Sequence, residues 1–93
     1  MNESYQKYEK RAEILKALAH PVRLMILDLL RQDNKINVTD LCRQLDIPQP
    51  TVSKHLSVLR NAGIINCERD KLMRCYCIDC KHLESLISLI VEK

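Results

Sequence analysis

Apolar residues recur at helical spacing through most of this chain, switch briefly to alternate positions, and then return to helical spacing. Tyr5, Tyr8, Ala12 and Leu15 predict a first amphipathic helix over about residues 4–18. His20-Pro21 interrupts it, and because proline is pre-organised for a first helical position, a second helix starts there and runs to about Gln32. Its stripe of Val22, Met25, Ile26, Leu29 and Leu30 is widened by Leu24 and Leu27 almost all round, the pattern of a buried central helix. Asn37 with Asp40 three residues on resembles a capping box, and it opens a short third helix ending near Leu45. A tight turn over residues 46–49 leads to a fourth helix from about Pro50 to Ala62, with Val52, Leu56 and Leu59 inward and Gly63 as its cap.

Beyond Gly63 the alternation predicts two strands, residues 64–69 and 72–78, joined at Asp70-Lys71. Leu83, Leu86, Ile87, Ile90 and Val91 then form a strongly amphipathic last helix. The expected fold is mostly α with a small β-hairpin, in the order α-α-α-α-β-β-α. At 93 residues the chain reads as one domain, 1–93. Two short helices joined by a tight turn are a helix-turn-helix, and a hairpin directly after them makes it a winged one.

Charge sharpens this reading. The net charge of +3 is modest, but residues 47–67 contain no acid at all while Lys54, His55 and Arg60 lie among them. An acid-free, mildly basic segment suits a surface that meets phosphate. On the fourth helix Thr51, Lys54, Val58 and Asn61 are expected to point outward, flanked by Ser53 and Ser57. Short hydroxyls allow close approach to a groove floor and lysine supplies charge for phosphate or guanine. Gln49 stands at the helix N-terminal end, where such motifs first reach base edges. Arg69, Lys71 and Arg74 cluster at the hairpin, with Glu68 and Asp70 diluting their charge. The sequence has three Tyr and no Trp or Phe, too few aromatics for a platform that stacks single-stranded bases.

These segments carry a family resemblance. Residues 14–30, ILKALAHPVRLMILDLL, and 38–65, VTDLCRQLDIPQPTVSKHLSVLRNAGII, resemble the ArsR/SmtB family of bacterial winged-helix repressors, and the similarity extends from Ile14 to about Leu86. The resemblance implies a homodimer built from the first and last helices, double-stranded operator DNA as partner, and release by a chemical signal. By position it implies base reading by Gln49, Ser53 and Lys54, with Thr51 and His55 as neighbours. The apolar stripe of the last helix, too wide to be left in water, places the main dimer contact on Leu83, Leu86, Ile87 and Ile90.

The signal is less legible. Relatives that sense metals through a Cys-Val-Cys-Asp-Leu pattern on the third helix find no counterpart in Asn37-Val38-Thr39-Asp40-Leu41. A zinc site between paired last helices begins at Cys80-Lys81-His82, but counting onward for its second pair reaches Lys93, so half the ligands are missing and no such metal site is expected. What remains is Cys75, Cys77 and Cys80, with Cys67 on the partner strand. Cys75 and Cys77 share a strand face, and Arg74 and Lys81 nearby would favour thiolate. Two readings stay open: a sensor that holds a soft metal ion or metalloid or oxidises, and small buried hydrophobes, which is the reading for Cys42 on its apolar stripe.

No run approaches the roughly 18 apolar residues of a membrane span, and residues 1–11 are polar and charged, unlike a signal peptide. A cytoplasmic protein with reduced cysteines is expected. Without a phosphate loop or nucleophile motif, an enzyme is not. Two rivals stand beside a regulated repressor. A winged helix used as a protein-interaction module would expose apolar side chains where Thr, Ser and Lys stand here, and an ArsR-type regulator without effector would make no use of the cysteines.

Overall fold

The computed structural model describes residues 3–79 and 81–92, with only the backbone at Asp70, Lys81 and His82. Helix α1 spans Glu3–Leu18 and α2 spans Pro21–Gln32; α3 (Val38–Leu45) and α4 (Gln49–Asn61) follow, and α5 (Lys81–Val91) closes the chain. Strands β2 (Ile65–Asp70) and β3 (Met73–Ile78) form the hairpin, and a third strand, β1 (Ile36–Asn37), lies against β3. The architecture is the winged helix-turn-helix expected, with one strand added to the predicted order.

The four other helices and β3 pack on α2. Ile26, Leu27 and Leu30 are fully buried, and the helix touches α1, α3, α4, α5 and β3. Its start is fixed twice over, by Pro21 in the first turn and by His20, which is extended in its backbone and whose ring Nδ1 accepts the Val22 N–H at 3.1 Å.

Strand β1 could not be foreseen, because two residues show no period. It pairs antiparallel with β3 through Ile36 opposite Tyr76 and Asn37 opposite Cys75. Asn37 is also the N-cap of α3: its Oδ1 accepts the Asp40 N–H at 2.8 Å, and its Nδ2 donates to Asp40 Oδ2 at 3.1 Å. The expected cap therefore forms, and the same residue ties α3 to the sheet.

In the hairpin Ile65, Cys67 and Arg69 oppose Ile78, Tyr76 and Arg74, and on the other face Asn66 and Glu68 oppose Cys77 and Cys75. Ile36, Ile65 and Tyr76 bury the first of these faces in the core. The turn is Lys71-Leu72, one residue later than Asp70-Lys71. It puts Lys71 at φ 58°, a left-handed conformation that hairpin turns usually give to Gly or Asn, and leaves Leu72 95% exposed at the tip.

The last helix corrects a second expectation. Ile87 is fully buried within the single chain and belongs to its own core, while Leu83 and Leu86 pack part-buried against that core. The outward apolar residues are Leu89 (75% exposed) and Ile90 (46%). Tyr5, Tyr8 and Leu15 are exposed on α1. The stripe is wide because its inner edge closes the core, so only part of it is free to face a partner.

Between α3 and α4 the chain reverses at Asp46, which takes φ 56° and ψ 46° and donates its N–H to Cys42 O. Asp tolerates this region; a β-branched residue does not. Asp46→Val should therefore cost about 1–2 kcal/mol, lowering Tm by roughly 5–10 °C in a chain of this size, whereas Asp46→Gly should hold or raise it. Thermal unfolding followed by circular dichroism checks this, and an unchanged Tm for the valine variant would contradict it.

Candidate DNA interface

Helix α4 begins at Gln49, one residue ahead of the expected start, with Pro48 as an N-cap that makes no side-chain hydrogen bond and with Pro50 in the first turn. Val52, Leu56 and Leu59 anchor its inner face. At its end Gly63 takes φ 76°, with its N–H on Arg60 O (3.0 Å) and the Ile64 N–H on Leu59 O (3.0 Å), so the glycine cap turns the chain into β2 as expected. Conformation and not space demands glycine there, since a Cβ would meet nothing within 4 Å.

With the inner face fixed, Gln49, Thr51, Lys54, Ser57 and Asn61 are exposed and Ser53 is half-buried. Pro50, Thr51, Ser53, Lys54 and Ser57 line one shallow concavity. Val58, expected outward, is half-buried beside α1 and α2. His55 is also turned toward the protein. Its Nδ1 accepts from Arg23 Nε at 3.2 Å, and its ring lies 4.3 Å from that of His20, tilted by 45°. Burial pushes the His55 pKa below the ordinary value, and the nearby His20, Arg23 and Lys54 push it the same way. Arg23 went unnoticed in the sequence, although with Asp28 it is one of only two charges between Val22 and Leu30. That is the signal that could have flagged it.

Arg69, Lys71 and Arg74 are exposed on the hairpin. Arg69 and Arg74 are cross-strand partners, so two like charges stand directly opposite each other, a pairing that disfavours the sheet by itself. Among the described residues neither has an ion-pair partner. Glu68, expected to dilute the wing's charge, lies on the other face and pairs with Lys35 Nζ at 3.1 Å.

Of the thiols, Cys75 is buried and Cys77 half-buried on one face of β3, whereas Cys67, opposite Tyr76, lies on the other face. Cys80 lies outside the described residues. The Cys77 thiol is pushed up by burial and then by Glu68 and Asp79, with Lys35 and the Asn66 N–H opposing. This is the reverse of the thiolate-favouring setting expected from basic neighbours. Cys42 packs part-buried against the core. Among the described residues no three His, Cys, Asp or Glu side chains are grouped to hold a metal ion, and no helix is long and apolar enough to cross a membrane.

The pattern of the bacterial regulatory proteins of the arsR family matches residues 20–66, and an uncharacterised HTH-type transcriptional regulator of Methanocaldococcus jannaschii is 40% identical over 87 residues, covering 94% of this chain and 98% of that one. The chain belongs to the ArsR family. The transcriptional repressor PagR of Bacillus anthracis is 37% identical over 86 residues, covering 92% of this chain and 86% of PagR. Its crystal structure superposes with a TM-score of 0.85 over 92% of this chain and 98% of the PagR chain. A homodimeric winged helix-turn-helix DNA-binding domain from Mycobacterium bovis, 27% identical, gives a TM-score of 0.89 over 97% of this chain and 82% of its own. In this ArsR-family chain the matched segment runs from the cap of α2 through the helix-turn-helix into β2.

A thiol held protonated reacts slowly with electrophiles, since thiolate is the nucleophile. Cys77 should therefore be alkylated by iodoacetamide at neutral pH more slowly than free cysteine. Its rate should climb with pH past the ordinary thiol range of about 8.5, and Glu68→Gln should speed it. Peptide mapping by mass spectrometry gives the rate at this residue, and a Cys77 as reactive as free cysteine near pH 7 would contradict the direction of the shift.

Proposed function

We propose that this ArsR-family protein is a homodimeric transcriptional repressor that lays α4 in the major groove of an inverted-repeat operator and sets its wing on the flanking backbone. The observation that carries this reading is the outer face of α4: an acid-free surface of Gln49, Thr51, Ser53, Lys54 and Ser57, anchored from behind by three buried aliphatic residues. A protein-docking winged helix would need apolar groups there, and this face has hydroxyls, an amide and an ammonium. The opposed Arg69 and Arg74 support the wing contact, because a phosphate between them removes the repulsion. The repressor name of PagR and the homodimer of the Mycobacterium bovis domain agree with repression and with two-fold symmetry. Cys75 and Cys77, together with Cys80, suit a soft metal ion or metalloid, which displaces the thiol proton on binding, better than an oxidant, because Cys75 is buried and the Cys77 thiol is held protonated. Operator binding by reduced, oxidised and metal-loaded protein tests that part of the reading.

Selection of duplexes from a random library, followed by footprinting, should return an inverted repeat with half-sites one or two helical turns apart. A reporter promoter carrying that site should fall silent when the protein is expressed. On the selected site Ser53→Ala and Lys54→Ala should each cost roughly 5- to 150-fold, the value of a lost base contact. Arg74→Ala should weaken binding to all sequences and make the salt dependence shallower by about one phosphate. Equal losses on operator and random DNA for all three variants would contradict this division of roles.

The dimer contact should use the outward residues of α5 with α1. Because Leu89 and Ile90 are exposed in the single chain, Ile90→Glu should leave the protomer folded yet give a monomer in sedimentation velocity, with operator affinity lost although α4 is untouched. A dimer that persists in this variant would place the interface elsewhere.

A further inference from the structure

One side chain on α2 links both of its neighbours. Arg23 Nη1 donates to Ala17 O, in the last turn of α1, at 3.2 Å, and Arg23 Nε donates to His55 Nδ1 on α4 at 3.2 Å. Against the same imidazole lies the ring of His20, whose own Nδ1 is committed to the Val22 N–H at the start of α2. Helix α2 through Arg23 and the α1–α2 junction through His20 therefore meet α4 at His55, one residue from Lys54 and two from Ser53, and Arg23 carries the tie on to α1.

We infer that Arg23 and His20 are positioning residues for DNA recognition: they hold α4 by His55, and His55 itself serves as the anchor of the reading helix and not as a base or phosphate contact. The inference rests on the operator-binding reading above and adds residues that the binding face does not contain. His55 accepts at Nδ1, so it is neutral with its proton on Nε2 in this arrangement. A protonated His55 has no lone pair for Arg23, and its charge would face Arg23 and His20 across the contact and Lys54 on its own helix, with no carboxylate among them. Glu13 and Lys16 line the neighbouring cleft of about 430 Å³ that Arg23 borders, and they offset each other there. The burial that lowers the His55 pKa keeps the anchor neutral near pH 7.

The test is operator binding by the full chain, as a function of salt and pH, for wild type, Arg23→Lys, His55→Ala and His55→Gln. Arg23→Lys keeps the charge but loses the fork that reaches two acceptors. It and His55→Ala should each lose about tenfold in operator affinity, the size of one charge-assisted hydrogen bond, with no change in the slope of log K against log salt. His55→Gln offers an amide oxygen to Arg23 and should recover most of the His55→Ala loss. From about pH 7.5 to about pH 5.5, across the ordinary histidine range, wild-type affinity should fall relative to His55→Gln, which cannot protonate. Retained binding to random DNA with the wild-type salt slope shows that the variants are folded. A slope shallower by about one in His55→Ala would mean that His55 meets a phosphate, and wild type gaining on His55→Gln in acid would mean the same; either result overturns the inference. Variants that bind the operator as wild type does would overturn it too, whereas a wild type that fails to prefer the operator over random DNA would bring down the binding reading itself.

Discussion

The burial of α2 is the constraint on which the rest of this protein depends. A helix with Ile26, Leu27 and Leu30 completely withdrawn from water must be covered along that face, although Met25 stays 47% exposed, and in this chain four helices and β3 supply the cover. Each large aliphatic side chain so buried contributes roughly 1.5–3 kcal/mol, comparable to a sizeable share of the net stability of a small domain. Helices α1, α4 and α5 and strand β3 therefore have little freedom to slide. The three charges set into the helix stand at its margins: Arg23 reaches α1 and α4, while Asp28 pairs with Arg31, which also meets Glu92 beyond α5. The core thus supplies the rigidity that a reading helix needs, and the polar residues at its edge fix the orientation.

The surfaces that remain divide by chemistry. Helix α4 and the hairpin present hydroxyl, amide and cationic groups, whereas α1 and α5 leave Tyr8, Leu15, Leu89 and Ile90 in water. The first set suits a polyanion and the second suits another apolar surface. Serine and lysine on α4 do not compete with core packing, because the spacing of Val52, Leu56 and Leu59 assigns the inner face to aliphatic residues alone.

Much of this was legible in the sequence, and the exceptions have physical causes. All five helices and both hairpin strands follow from period, from Pro21 and from Gly63, since each of these acts through its own local backbone. Strand β1 was not, because two residues have no period and Ile36-Asn37 becomes a strand only when β3 lies beside it. The hairpin turn was placed one residue early because Lys71 occupies a left-handed position without the glycine that usually announces one. The inward position of Ile87 is not legible, because periodicity identifies an apolar face but not whether that face meets the protomer's own core or a partner. His55 was grouped with its exposed neighbours because its tie to Arg23 spans 32 residues of sequence. The outer face of α4 is legible because one helix carries all of it; the Arg23–His55 contact is not, because two helices must pack together to make it.

Asn37 does two things at once, and this bears on how the molecule comes apart. It caps α3 through its side chain and joins the sheet through its backbone, opposite a residue 38 positions further along. The conformation that caps α3 and the pairing that gives β3 its edge therefore rest on the same residue. Amide protons at the start of α3 should exchange with those of β3 as a single unit and not on separate clocks. Opening of β1 from β3 and fraying of the first turn of α3 are thereby coupled at one residue, by up to the worth of one helix cap, about 1 kcal/mol.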